Sequence, residues 1–182
     1  MKKNKILAAA LLLACAAPAA IAKDGFMGHY GYLLTVPEGY QTSAGFEGAA
    51  EVVLFFPPSC NGKTRAECDG KGLLELTVLP KKAVKENGIG SFDEYIKAVA
   101  AGAAKAKGKP MVSRDKLAGL PSAKIYLRGM KVNVDGMFML EGTKVYYRVK
   151  FKEKVSEKAA AALLATLTEV KPNDDPPPGQ GR

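Results

Sequence analysis

The sequence predicts an α+β fold in which an antiparallel β-sheet of about six strands packs against two main helices. Short runs with two-residue alternation occur along most of the chain, and two longer stretches repeat apolar residues at helical spacing. The links between the last strands are too short for a parallel crossover. Apolar residues make up 47% of the 182 residues, which is typical of a globular domain and too high for a disordered chain.

Three strands are predicted in the first half of the chain. Residues 30–36 alternate and present one firmly apolar face. Residues 50–56 are apolar on both faces, which is typical of a strand covered on both sides. Residues 73–79 form the third strand, and Pro80 ends it. The polar segment 81–90 is interpreted as a connection.

The first helix is predicted to start at Ser91. Glu94 follows three residues later, which is the capping-box pattern that satisfies free backbone donors. Gly108 and Pro110 end the helix. Its apolar stripe, which must pack on the sheet, consists of Phe92, Tyr95, Ile96, Val99 and Ala103.

The second half of the chain predicts an antiparallel meander followed by the second helix. The meander strands are residues 124–128, 132–140 and 144–151, and the middle one contains a bend at Asp135-Gly136. Ser156, a favourable N-cap residue, starts the second helix. Its stripe consists of Ala160, Leu163, Leu164, Leu167 and Val170, and Lys171-Pro172 ends it.

Residues 1–22 have the three parts of a secretory signal peptide: basic residues, the apolar run Ile6–Ala14, and a small-residue cleavage site that ends at Ala22. A second processing site competes with it. The residues before Cys15 resemble a lipoprotein box, with residues 1–14 as the signal and Cys15 as the lipidated residue. Both alternatives predict a protein of the periplasm or cell envelope, attached to a membrane only if Cys15 carries a lipid.

Residues 23–171 are predicted to form a single domain. Residues 172–182 contain four prolines and no apolar anchor, so this tail is predicted to be disordered. The formal charge of the whole chain is +9, and it falls to +6 without the three lysines of the leader. The remaining basic residues are scattered and form no block, which makes nucleic acid a poor partner for this exported chain.

Cys60 and Cys68 remain as an even pair once Cys15 is assigned to the leader. In an oxidising compartment such a pair predicts a disulfide. Closing this nine-residue loop would stabilise the fold by about 2.5 kcal/mol in the chain-entropy model. A redox-active pair is the alternative, but the spacing is not Cys-x-x-Cys.

No arrangement of residues predicts catalysis, a cofactor or a metal. The only histidine, His29, has no partner that the sequence places beside it, and one histidine excludes a multi-histidine metal site. Asn61-Gly62-Lys63-Thr64 resembles the end of a phosphate-binding loop, but Pro57 stands where that loop needs glycine. The sequence therefore predicts a protein that is not an enzyme.

One polar face of the meander is a candidate binding surface. It combines Tyr and Arg, which are enriched in binding hot spots, with Lys. The alternative interpretation is a solvated sheet face, or side chains that lie under a helix with their polar ends in water. The predicted face consists of Lys124, Tyr126, Arg128, Tyr146, Arg148 and Lys150.

Four stretches together match a known fold pattern: Tyr32–Tyr40, the Ser91–Ala106 helix, Leu117–Leu127, and the closing strand and helix at 144–170. On these stretches the chain resembles the PsbP-like α/β/α sandwich family. The family includes the extrinsic subunit of the oxygen-evolving photosystem, a Ran-binding nuclear import factor and bacterial envelope lipoproteins. The resemblance implies a largely non-enzymatic scaffold or binding module, and no functional residue carries over. A cystatin-like or ferredoxin-like sheet is the alternative fold.

Three functions remain open from the sequence. The first is a non-catalytic envelope module that binds a protein partner or acts as a scaffold. The second is a periplasmic carrier of a small or lipid-like ligand, which requires an apolar cavity. The third is an envelope hydrolase, which would need His29 to lie beside a serine and an acidic residue.

Overall fold

The computed structural model describes residues 25–107, 110–127, 135–152 and 154–171. The predicted leader with Cys15 and the predicted tail lie outside the described residues. The strands are β1 (Gly25–Gly28), β2 (Tyr32–Thr35), β3 (Gln41–Glu47), β4 (Ala50–Phe56), β5 (Leu74–Pro80), β6 (Pro110–Leu117), β7 (Leu120–Leu127), β8 (Asp135–Glu141), β9 (Val145–Phe151) and β10 (Thr168–Glu169). The helices are α1 (Arg65–Cys68), α2 (Lys81–Glu86), α3 (Phe92–Lys107) and α4 (Lys154–Ala165), and a 3-10 turn spans Pro58–Cys60.

Two antiparallel sheets organise the described residues. The large sheet has seven strands in the order β3-β4-β5-β9-β8-β7-β6, and the small sheet has three in the order β1-β2-β10. This architecture confirms the α+β class, but the predicted number of about six strands is too small. The first predicted strand, at residues 30–36, belongs to the small sheet as β2 and does not join the large one.

Two strands of the large sheet escaped prediction because they form its edges. Most side chains of β3 and β6 are exposed whichever way they point. Selection for burial therefore imposes no two-residue alternation of apolar and polar residues on them. Both edges are defined instead by hydrogen-bonded pairing with the neighbouring hairpin strand, β4 for β3 and β7 for β6.

The two faces of the large sheet pack against different elements. We call the face that carries Val53, Leu76 and Val149 the front face. It packs against α4 and the small sheet. The buried cluster between these layers includes Tyr32, Leu34, Leu76, Val149, Leu163 and Leu164.

The opposite face, which carries Ala123 and Met139, is the back face. It packs against α2 and α3 through a second buried cluster, which includes Phe92, Tyr95, Ile96, Ile125 and Tyr146. The large sheet is thus the middle layer of three. Among the helices of the described residues, none is long and apolar enough to cross a membrane.

The start of α3 agrees with the prediction and the start of α4 does not. The Ser91 hydroxyl accepts from the Glu94 backbone N–H, and the Glu94 carboxylate accepts from the Ser91 N–H, each at 3.2 Å, which completes the capping box. In contrast, α4 begins at Lys154, so Ser156 lies inside the helix and is buried. The N-cap prediction for Ser156 is therefore wrong.

The predicted bend at Asp135-Gly136 is also wrong, because both residues belong to β8. Gly136 is needed for packing rather than for a turn. A Cβ atom at this position would lie 2.5 Å from the ring of Phe151, on the neighbouring strand β9. Of the predicted strand 132–140, the structure describes residues 135 onward.

Candidate functional site

The residues of the predicted binding face lie on opposite sides of the large sheet. Lys124 pairs with Phe138, which pairs with Val149, so Lys124 and Tyr126 point to the front face. Tyr146, Arg148 and Lys150 alternate with Val149 along β9 and point to the back face. The predicted single face is therefore wrong as a geometric unit, and Arg128 lies outside the described residues.

On the front face, Lys124 lies between the sheet and α4. Its ammonium group forms an ion pair with Glu157 of α4 and lies 4.0 Å from the centroid of the Tyr126 ring. The side chain of Lys124 is 20% exposed. This is the arrangement in which a lysine stem lies under a helix, so Lys124 holds α4 on the sheet.

On the back face, Arg148 and Lys150 are tied to the neighbouring strand β5. The Lys150 ammonium group lies 2.8 Å from the Glu75 carboxylate, and the Arg148 guanidinium donates to the Thr77 hydroxyl at 3.3 Å. Arg148 Nε is buried without a hydrogen-bond partner in the described part of the chain. These contacts stabilise the sheet. Lys150 also lines a cavity of about 500 Å³ beside α1, and Tyr146 lines a different and larger one.

That cavity is an open cleft of about 830 Å³ at one end of the back face. Its walls come from α2, the first turn of α3, the hairpin of β6 and β7, and the end of β8. We call it the back cleft. The residues that the argument below uses are Lys81, Lys82, Lys85, Ser91, Phe92, Asp93, Arg114, Glu141 and Tyr146.

The apolar part of the back cleft is an aromatic stack. The rings of Phe92 and Tyr146 are 5.5 Å apart and nearly parallel, and Tyr95 stacks on Tyr146 from within the core at 4.9 Å. Burial raises the pKa of Tyr146; Lys81 opposes this, while Glu141 and Glu94 reinforce it. The Tyr146 hydroxyl therefore stays protonated at neutral pH and is available as a hydrogen-bond donor.

The charged part of the back cleft contains both paired and solvent-facing cations. Lys81 lies 2.8 Å from Glu141, and Arg114 lies 2.7 Å from Asp93. Lys82 and Lys85 are exposed on α2. The Lys82 side chain is 88% exposed, and its ammonium group lies 4.0 Å from the Glu86 carboxylate, one turn along the helix. The cleft thus has a rim of ammonium groups above an aromatic stack.

Three backbone donors around the start of α3 are occupied. The Gly90 and Ser91 N–H groups both donate to the Glu94 carboxylate, and the Glu94 N–H donates to the Ser91 hydroxyl. These three N–H groups are therefore satisfied within the cap of the helix.

The sequence pattern does not predict the back cleft, because it does not predict two of the elements that form its walls. Residues 81–90 are interpreted above as a polar connection, but Lys81–Glu86 forms α2, and Pro110–Leu117 forms the unpredicted strand β6. One weak signal is present in the sequence. Val84 and Ile89 are the apolar residues of this lysine-rich segment, and both pack in the back-face cluster.

His29 lies away from the back cleft and has aromatic neighbours. Its ring meets Tyr30 and Phe46 edge-on at 5.2 and 5.3 Å. Its backbone N–H donates to the buried carboxylate of Glu51. This is a structural arrangement at the end of the β3–β4 hairpin. In the described ranges, no group of three or more His, Cys, Asp or Glu side chains is placed to hold a metal ion.

Cys60 and Cys68 form a disulfide, as their pairing predicts, and both are buried. The resemblance of Asn61–Thr64 to a phosphate-binding loop has a structural explanation. Thr64 caps the one-turn helix α1, in a capping box with Glu67, and Lys63 donates to the Ser59 carbonyl. The loop between the cysteines is therefore held by its own hydrogen bonds.

No protein-family model matches the sequence, and no curated protein is significantly similar to it. The chain is similar to a cyanobacterial PsbP. The solution structure of PsbP (CyanoP) from Synechocystis sp. PCC 6803 is 10% identical, with a TM-score of 0.47, and the match covers 86% of this chain and 98% of that one. PsbP is the family that the sequence itself resembles, and nothing about its function is carried over at this level of similarity.

Proposed function

We propose that the protein is an exported, non-catalytic scaffold of the cell envelope that binds a protein partner in the back cleft. The observation that carries this proposal is the combination, in one open cleft, of the Phe92–Tyr146 stack with the solvent-facing ammonium groups of Lys82 and Lys85. Aromatic and basic residues are enriched among those that contribute most to protein interfaces.

The chemistry of the back cleft favours a protein segment over a lipid-like ligand. A carrier of apolar molecules needs a largely apolar cavity that encloses its ligand. This cleft is open, and its walls carry the ion pairs Lys81–Glu141 and Arg114–Asp93. An acidic peptide fits the rim of the site, since its carboxylates meet the lysines. Phe92 and Tyr146, which are 7% and 4% exposed, form the buried floor below that rim.

Export and the absence of catalysis are parts of the same proposal. The pattern of residues 1–22 supports export, and so does the Cys60–Cys68 disulfide, because disulfides persist in oxidising compartments. In the back cleft, Lys81 pairs with Glu141, Arg114 pairs with Asp93, and Ser91 caps α3. His29 packs against aromatic rings. This arrangement supports binding rather than acid–base chemistry.

Photo-crosslinking in living cells tests the proposal. A benzophenone amino acid at Lys85 is expected to form a covalent adduct with one envelope protein, because Lys85 lies on the rim of the back cleft. Charge reversal by Lys82→Glu should reduce the yield of that adduct, since it repels an acidic partner. The adduct is measured by gel shift and identified by mass spectrometry.

The matched control places the same benzophenone at Lys97, which is exposed on α3 and does not line the back cleft. No adduct of this size is expected from that position. An equal adduct yield from position 97, or a yield from position 85 that Lys82→Glu does not change, would show that the back cleft is not the binding site.

A further inference from the structure

The two edges of the large sheet differ in how well they resist pairing with another strand. The β6 edge begins with Pro110, which lacks an N–H, and carries Arg114, Asp115 and Lys116. Charges and proline on an edge discourage pairing with another chain. The β3 edge, Gln-Thr-Ser-Ala-Gly-Phe-Glu, has no proline and no basic residue, and Glu47 is its one charge.

The hairpin that contains β3 determines which backbone groups remain free. Glu47 pairs with Ala50 across the two-residue link Gly48-Ala49, so this closing pair is hydrogen-bonded. Hydrogen-bonded and non-bonded pairs alternate along an antiparallel ladder. The N–H and C=O groups of Thr42, Ala44 and Phe46 therefore point away from β4, along an edge where every residue but Phe46 is exposed.

We propose that β3 pairs antiparallel with β3 of a second copy of this chain, around a twofold axis at Ala44. In this register Ala44 lies opposite the partner's Ala44, and Thr42 lies opposite the partner's Phe46. The outward backbone groups of the two strands then satisfy one another. The result is a dimer with one continuous sheet through both copies.

Complementary hydrogen-bonding groups favour a second copy in this register. Gln41 and Glu47 point to the same face of the sheet, since they alternate with Ala44, and the register places each opposite the other across the twofold axis. The Gln41 amide donates to the Glu47 carboxylate at both ends of the paired segment. The Glu47 carboxylate, which lies 3.6 Å from the Arg65 guanidinium of its own chain, therefore gains a hydrogen bond and meets no like charge.

Other occupants of the edge fit less well. The tail 172–182 contains four prolines, which supply no N–H for a ladder. Pairing of β3 with the β6 edge of another copy would be head-to-tail, which produces rings or filaments rather than a twofold dimer. The β3–β3 pairing is isologous and closes on itself, and it uses the edge that lacks the protective residues.

Sedimentation velocity on the purified protein across a range of concentrations tests this proposal. The wild type is expected to form a dimer that dissociates on dilution. Ala44→Lys places two ammonium groups directly opposite one another and should weaken the dimer by about fivefold or more. The matched control Val112→Lys changes an apolar residue, 44% exposed, on the β6 edge and should leave the dimer unchanged.

Mixing complementary variants tests the register. Ala44→Lys and Ala44→Glu should each be weak dimers alone, and their mixture should dimerise again, because position 44 faces itself only around the proposed axis. A wild type that stays monomeric, a mixture that does not recover, or a dimer lost with Val112→Lys would overturn the proposal.

Amide hydrogen exchange on the wild type needs no variant and covers the case in which a substitution prevents folding. The N–H groups of Thr42, Ala44 and Phe46 should exchange slowly in the dimer and rapidly on dilution. Equal, rapid exchange at both concentrations would overturn the proposal.

Discussion

At Gly28, the absence of a side chain makes room for the ring of Tyr32. The fully buried ring of Tyr32 lies so close to Gly28 that a Cβ atom there would be 2.0 Å from two ring carbons. The two residues are paired across β1 and β2. The glycine therefore gives the tyrosine ring the room it needs to reach the front-face cluster.

Gly28→Ala is expected to lower the free energy of unfolding by about 1–3 kcal/mol, because the added methyl group forces the Tyr32 ring or β1 to move. Urea denaturation measures this loss. The matched control is Gly25→Ala on the same strand, where a Cβ atom meets nothing within 4 Å. Equal stability of the two variants would contradict the packing role assigned to Gly28.

At the scale of elements, the one-turn helix α1 is held on the sheet by a network around Glu75. Arg65 of α1 forms ion pairs with Glu75 of β5 and with Glu47 of β3, and Lys150 of β9 reaches Glu75 from the other side. Lys152 also pairs with Asp69, which follows α1. Together with the Cys60–Cys68 disulfide, these ion pairs attach the segment from Cys60 to Asp69 to the strands β3, β5 and β9.

The Glu75 network predicts a specific loss of stability in acid. Burial raises the pKa of Glu75, but Lys150 and Arg65 outweigh it and hold the pKa below its ordinary value of 4.5. As the pH falls, the carboxylate of the unfolded chain is protonated before that of the folded one. The stabilisation is therefore complete above about pH 4.5 and is lost as the pH falls through the folded-state pKa.

Chemical denaturation between about pH 6 and pH 3 checks this prediction. Glu75→Gln should flatten the pH dependence of the unfolding free energy over the acidic part of this range. Glu38→Gln, which alters an exposed carboxylate, is the matched control and should leave the slope close to that of the wild type. A slope that does not change with Glu75→Gln would contradict the lowered pKa.

At the scale of the whole molecule, two buried clusters share one sheet. Ile96 of α3 is buried against the back face, and Leu164 of α4 is buried against the front face. Each strand in the middle of the sheet contributes side chains to both clusters, as Leu79 and Leu76 of β5 do. Loss of either helix would expose one face of the same sheet, so the layers are expected to unfold together.

Ile96→Val and Leu164→Ala test this cooperativity. We expect Ile96→Val to lower the free energy of unfolding by about 0.5–1.5 kcal/mol and Leu164→Ala to lower it by about 2–5 kcal/mol. Each variant should show a single urea transition. The double variant should lose the sum of the two within about 0.5 kcal/mol, because the sites lie on opposite sides of the sheet. Two separate transitions would show that the layers unfold independently. A large non-additive term would show instead that the two sites interact through the sheet.

The elements whose burial is one-sided or complete can be predicted from the amino-acid sequence. The stripe of α3, the stripe of α4 up to Leu164, the mostly apolar β4 and the capping box at Ser91 leave a periodic or local signal, because each depends on neighbours close in the chain. The predicted continuation of the second helix through Leu167 and Val170 is wrong, since α4 ends at Ala165. The pairing of Cys60 with Cys68 follows from their number and their short separation.

Only the tertiary structure decided how these elements face one another. Alternation shows which residues of one strand share a face, but not which layer covers that face. On β7 the buried Ile125 turns towards α3, whereas on β9 the buried Val149 turns towards the front-face cluster with α4. The polar residues of these two strands therefore point in opposite directions, and the back cleft is formed by segments far apart in the chain whose contact no local pattern records.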